Sequence, residues 1–144
     1  MRIALILKKL RLPPNLGISY LSQNLKSAGY EVKLFLINNN FEKAIKKIKD
    51  FNPSVVGYSV YTGEQAHYIN FNKILKKELS VISVFGGIHP TFFPEIIEED
   101  KGIDAICRGE GELAFIEFLD KVKKNNDLPE HTNNFWIRKD GNIF

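Results

Sequence analysis

Short aliphatic runs alternate along this chain with segments in which apolar residues recur every three or four positions, and that alternation predicts a strand–helix repeat. Ile3 to Leu7 reads as a buried strand. Ile18, Leu21, Leu25 and Ala28 then make one apolar helix stripe, which Gly29 stops. Glu31 to Leu36 is a second strand. Asn38, Asn39 and Asn40 supply capping chemistry for a helix with Phe41, Ala44, Ile45, Ile48 and Phe51 inward, and Asn52-Pro53 breaks it. Val55 to Val60 is the third strand, followed by a helix over Glu64 to Lys77 with Ile69, Ile74 and Leu75 inward. Val81 to Phe85 is the fourth strand, closed by Gly86-Gly87 and followed by a short helix around Phe93 to Glu98. Ile103 to Cys107 is the fifth strand and Glu110 to Lys124 the last helix. Near the end, Asp140-Gly141 between apolar residues signals a hairpin.

Parallel strands need crossover helices, so five strand–helix units predict a parallel sheet covered on both faces. The expected fold is α/β, a doubly wound five-stranded parallel sheet, flavodoxin-like (Rossmann-like) with three α/β/α layers, order 2-1-3-4-5 and a partial C-terminal β-hairpin. Residues 1–128 form the expected domain. Residues 129–144, past the polar joint Lys123–Glu130, form a C-terminal extension. Such sheets bind ligands beyond the carboxyl ends of their strands, near the reversal of winding. The loops that meet there are Lys8–Asn15, Tyr61–Glu64, Gly86–Pro90 and Arg108–Gly111.

Composition narrows the chemistry. The 144 residues suit one domain, and 44% apolar content excludes disorder. One Cys excludes a disulfide framework, a four-thiolate zinc site and an iron–sulfur cluster held by this chain alone. No apolar run approaches the ~20 residues of a membrane-spanning helix. Met1 to Leu7 runs into Lys8, Lys9 and Arg11 instead of a cleavage site, so no signal peptide and a cytoplasmic location are expected. The net charge is +3, with scattered lysines that mark neither a nucleic-acid nor a membrane surface.

The usual occupants of the fold fail in turn. The first loop lacks the acidic residues of a phosphoacceptor, the donors of a flavin-phosphate loop, a Walker loop and a GxGxxG turn, and no nucleophile elbow occurs. Two hydroxyls, Ser59 and Thr62, remain near the switch point, with Gly86-Gly87 beyond the fourth strand. The hydroxyls either satisfy local backbone or meet a ligand. The glycine pair makes either a tight turn or a floor that a flat ligand approaches closely.

Pro13-Pro14-Asn15-Leu16-Gly17-Ile18-Ser19-Tyr20-Leu21 and Leu25 to Val32 resemble the start of the cobalamin-binding domain that precedes many radical S-adenosylmethionine enzymes. The likeness continues through Val56 to Ser59, Gly86-Gly87-Ile88-His89-Pro90-Thr91 and Asp104 to Glu112, in order and over nearly the whole chain. The resemblance implies cobalamin at the carboxyl edge, its nucleotide tail in a slot beside the central strands. Carried across, Ser59 and Thr62 would hydrogen-bond the tail, Gly86 and Gly87 would admit it, and Tyr61, Gly63 and Ile88 would wall it. Leu12, Val60, His89, Gly109, Glu110 and Gly111 complete the expected cofactor-binding set.

The chain departs from the methionine-synthase type, in which a first-loop Asp-x-His-x-x-Gly ligates cobalt. That loop has no histidine here, so base-off cobalamin is expected, with Arg11 or Leu12 nearest the lower face. His89 is the alternative ligand, against a local hydrogen bond that fixes its loop. Glu110 and Glu112 read as first-turn carboxylates of the last helix. Gly109 and Gly111 would let that loop press on the corrin or a partner domain. Cys107 reads as a small core hydrophobe, and Tyr20, Tyr30 and Trp136 as packing residues.

The resulting expectation is a non-catalytic cobalamin domain of a radical enzyme, of the methyltransferase type. Its partner barrel, in cis or in trans, would hold the 4Fe-4S cluster and S-adenosylmethionine. The rival is a cofactor-free docking or regulatory module of the same fold. A weaker third reading is a small-molecule enzyme acting alone, which no nucleophile–base pair supports. An open cleft beside the third and fourth strands favours the cofactor, and a cleft plugged by aromatic rings favours the rival.

Overall fold

The computed structural model describes residues 1–10, 16–38 and 40–144. Five parallel strands come first along the sheet: β2 (Glu31–Leu36), β1 (Arg2–Leu7), β3 (Val55–Ser59), β4 (Ile82–Gly86) and β5 (Ala105–Cys107). The expected 2-1-3-4-5 order is therefore the observed one. A hairpin of β6 (Phe135–Lys139) and β7 (Asn142–Ile143) adds two antiparallel strands beyond β5. Its turn residues Asp140 and Gly141 have φ of 50° and 81°, the positive pair that matches a hairpin to the twist of its strands.

From Ile3 to Leu7 β1 is aliphatic because both of its faces are covered, and these five residues are all buried. One face of the sheet, with Ala4, Ile6, Val56, Tyr58, Phe85 and Ile106, packs under α2 (Phe41–Phe51) and α3 (Gln65–Glu78). The other, with Ile3, Leu5, Val84, Ala105 and Cys107, packs under α1 (Leu16–Ser27) and α6 (Ala114–Asn125). Asn40 caps α2 as the sequence predicts, its Oδ1 accepting the Lys43 N–H at 2.9 Å.

A buried polar network fastens α3 behind the central strands. The Asn72 Oδ1 accepts the Tyr58 hydroxyl at 2.9 Å and the Ser83 hydroxyl at 2.6 Å, while its amide nitrogen donates to the Gly102 carbonyl at 2.9 Å. Burial holds the Tyr58 phenol well above its ordinary pKa, so it remains a donor.

Several expectations need correction. Ile74 is 42% exposed, because α3 buries the stripe Tyr68, Phe71, Asn72 and Leu75, to which Ile74 does not belong. The single short helix around residues 93–98 is two, α4 (Ile88–Phe92) and α5 (Ile96–Glu99). Phe93 cannot bridge them, since a residue before proline avoids helical backbone and Phe93 has ψ of 67°. The last helix begins at Ala114, not Glu110. Two glycines within three residues, Gly109 at φ +72° and Gly111, disfavour helix there, so Glu110 and Glu112 lie ahead of its first turn. Tyr20 points to solvent, 60% exposed, on the side of α1 opposite Ile18 and Leu25. Tyr30 is buried and its hydroxyl donates to Asp120, while half-buried Trp136 carries the Arg108 guanidinium 5.2 Å above its ring.

Candidate cofactor-binding site

Strand register lines up Leu5 of β1, Gly57 of β3, Val84 of β4 and Ala105 of β5 in one row on the face under α1 and α6. One step nearer the carboxyl edge, Ser59 pairs with Gly86, beside Cys107. Each row thus has a missing side chain. A Cβ at Gly57 would stand 3.1 Å from Leu5 Cδ2 and 3.5 Å from Phe115 Cζ, and one at Gly86 would meet Cys107 Cβ at 3.8 Å. Both glycines line a slot of about 400 Å³. Ile18 and Leu21 of α1 wall one side and Phe115 of α6 the other, while Ile88, Thr91 and Phe92 of α4 stand at the mouth.

Gly87 serves a different purpose from Gly86. At φ +98° it brings two stretches of main chain together, and a Cβ there would sit 2.9 Å from the Val60 carbonyl oxygen. The Val60 N–H donates to the Gly86 carbonyl at 2.8 Å and the His89 N–H to the Val60 carbonyl at 3.1 Å.

Of the sequence-selected residues, Ser59, Tyr61, Gly86, Gly87, Ile88, Gly109, Glu110 and Gly111 line the slot. Val60 is fully buried in the opposite core. Thr62 and His89 face each other, Oγ1 to Nδ1 at 3.3 Å, and the buried His89 ring stacks on Phe93 with centroids 5.1 Å apart. Gly63 donates its N–H to Gln65 Oε1 at 2.7 Å. Leu12 lies outside the described residues. The apolar floor and walls of Leu5, Ile18, Leu21, Val84 and Phe115 were not in the expected set, because apolar residues in such segments read as ordinary core. Gly57 was the available signal, a glycine inside a strand where something approaches the backbone.

Cys107 belongs to the slot lining, buried as expected of a core thiol. Burial, and after it the charge of Glu112, pushes its pKa up to about 12, so the thiol stays neutral at physiological pH. Among the described residues no group of three His, Cys, Asp or Glu is placed to hold a metal ion. The slot suits a flat, mainly apolar group that enters beside main chain and meets Ser59 on the outer row. Its volume lies in the ordinary range of small-molecule sites, and Tyr61 lines the cleft instead of filling it.

A doubly wound parallel sheet with a slot opened by strand glycines at its carboxyl edge defines a ligand-holding α/β domain. Residues 4–119 match the B12 binding domain family, and the chain belongs to that family. It is 36% identical over 120 residues to an uncharacterized methyltransferase of Pyrococcus horikoshii, covering 80% of this chain and 26% of that protein. It is 32% identical over 129 residues to the anaerobic magnesium-protoporphyrin IX monomethyl ester cyclase of Rubrivivax gelatinosus, covering 81% of this chain and 22% of that protein. The chain therefore spans about a quarter of the length of these relatives. Its fold matches 99% of this chain in two solved structures. One is the cobalamin-dependent S-adenosylmethionine radical enzyme OxsB with aqua-cobalamin and S-adenosylmethionine bound, at TM-score 0.83, 23% identity and 21% of that chain. The other is the radical S-adenosylmethionine methyltransferase TsrM from Kitasatospora setae with cobalamin and a 4Fe-4S cluster bound, at TM-score 0.84, 16% identity and 30% of that chain.

Proposed function

We propose that this chain holds cobalamin base-off, as the cobalamin-binding part of a radical S-adenosylmethionine enzyme of the methyltransferase type. The observation that carries the reading is the slot of about 400 Å³ floored by Gly57 and Gly86 in a B12-binding domain. Its depth, between Leu5, Val84 and Phe115, takes a flat aromatic base, and the Ser59 hydroxyl serves polar atoms nearer the mouth. Ile88 and Phe92, 53% and 73% exposed, offer an apolar shelf beside the slot to the macrocycle. When bound, the cofactor supplies methyl-transfer chemistry through its cobalt. The chain's own part is to bind, orient and shield it.

The first-loop sequence Lys8 to Asn15 has no histidine, and the His89 ring is engaged by Thr62 and Phe93 outside the slot lining. Both facts support a lower cobalt face without an imidazole from this chain. The partner is a radical S-adenosylmethionine barrel, in cis or in trans, which would hold the iron–sulfur cluster and S-adenosylmethionine. Residues 1–128 are assigned to the cofactor domain and 129–144 to an extension whose hairpin joins the domain's sheet and leads towards that partner. No helix among the described residues is long and apolar enough to cross a membrane, and a cytoplasmic location is part of the proposal.

The test is retention of hydroxocobalamin through gel filtration, read by corrin absorbance, beside cobinamide, which lacks the nucleotide tail. Retained cobalamin with cobinamide washed out is the expected result. A folded protein that retains neither overturns the reading in favour of a cofactor-free docking module.

A further inference from the structure

α4 is a single helical turn, yet its side chains and main chain reach three of the loops at the carboxyl edge. Towards β3, the His89 N–H donates to the Val60 carbonyl at 3.1 Å and the His89 ring meets Thr62. Towards β4 and β5, one hydroxyl serves both sides. The Thr91 Oγ1 donates to the Gly87 carbonyl at 2.8 Å and accepts the Gly109 N–H at 2.9 Å.

The two partners of that hydroxyl are glycines at φ +98° and +72°, and neither has a side chain to anchor its loop. Nothing lies within 4 Å of where a Cβ of Gly109 would be, so packing at that position does not hold the β5 lip. Other tethers of this lip run to β6 and to α6, and none of them reaches α4. The Arg108 N–H donates to the Asn134 carbonyl at 2.8 Å, the Asn134 amide nitrogen to the Glu110 carbonyl at 3.1 Å and the Phe115 N–H to the Gly111 carbonyl at 2.8 Å, while the Arg108 guanidinium lies 5.2 Å above the Trp136 ring. Thr91 itself lines the slot, between the lips it joins.

We infer that Thr91 is a positioning residue of the cofactor slot, whose hydroxyl latches the β4 lip to the β5 lip and so fixes the width of the mouth. The inference rests on the cobalamin reading for what the slot admits, and on the two hydrogen bonds alone for the latch. Valine keeps the bulk of threonine and loses the hydroxyl, whereas serine keeps the hydroxyl and loses the methyl.

The experiment compares Thr91→Val and Thr91→Ser with the wild-type chain by cobalamin dissociation rate, corrin spectrum and amide exchange at Gly109 in the cofactor-free protein. Thr91→Val is expected to release cobalamin about tenfold faster and to speed Gly109 exchange at least tenfold, with far-UV circular dichroism unchanged. Thr91→Ser is expected within about twofold of wild type on both counts. Valine behaving as wild type, or serine failing as valine does, overturns the latch. If Thr91→Val does not fold, Thr91→Ala against Thr91→Ser gives the same contrast. A wild-type chain that retains no cobalamin counts against the cofactor reading instead, and Gly109 exchange then decides the latch by itself.

Discussion

A Cβ at Gly86 would make ordinary contacts with Cys107 and two backbone carbonyls at 3.8 Å, whereas one at Gly87 would press on the Val60 carbonyl oxygen at 2.9 Å. Gly86→Leu is therefore expected to fold normally and to lose cobalamin retention, as judged by circular dichroism and gel filtration. Gly87→Leu must also accept φ +98°, so it is expected to lose about 3 kcal/mol or more in urea unfolding besides the cofactor. The sequence marks this glycine pair as a unit, and only register divides it: Gly86 pairs with Ser59 in the ladder, while Gly87 is turned against Val60. Cys107 gives a pH test. Its folded pKa, raised from 9.0 to about 12, keeps the thiol protonated where an unfolded chain ionises, so its contribution is complete below pH 9 and is lost as pH rises towards 12. Stability is expected to fall across that window by at most about 1.4 kcal/mol per pH unit from this group. Urea midpoints at successive pH values should show a flatter decline in Cys107→Ala.

The inner parallel strands were readable because strands covered on both faces are continuous aliphatic runs, and α2 was readable because Asn40 and Asn52 bracket one apolar stripe. The segment from Gly87 to Glu99 was not. Its Ile-His-Pro-Thr-Phe turn is too short for a helical period, and Pro94 divides what reads as one helix. Nor did periodicity indicate that the inner face of α3 carries a buried amide. Asn72→Ala would leave the Tyr58 and Ser83 hydroxyls and the Gly102 carbonyl without their partner inside the protein. The expected cost is about 3 kcal/mol by chemical denaturation, since each buried polar group left unpaired costs roughly 1–3 kcal/mol. A neutral result would mean that water replaces the amide.

The hairpin ties its sequence to the body of the protein. Phe135 stacks on Phe118 with rings 4.6 Å apart and 7° from parallel, and Ile137 is fully buried beside β5. Removing residues 129–144 would delete both and uncover Phe118 and the β5 edge they pack against, at about 5 kcal/mol for the lost burial of two large apolar side chains, comparable with the whole stability of a domain this size. The shortened chain 1–128 is expected to lose cooperative thermal unfolding, and retention of a sharp transition would mark the hairpin as dispensable. The floor of the slot has a separate consequence. At Gly57 and Gly86 it is bare main chain already committed to its neighbouring strands. An incoming guest therefore freezes few rotors on that surface, and its tightness of hold is governed by water expelled from the hollow rather than by protein brought to order.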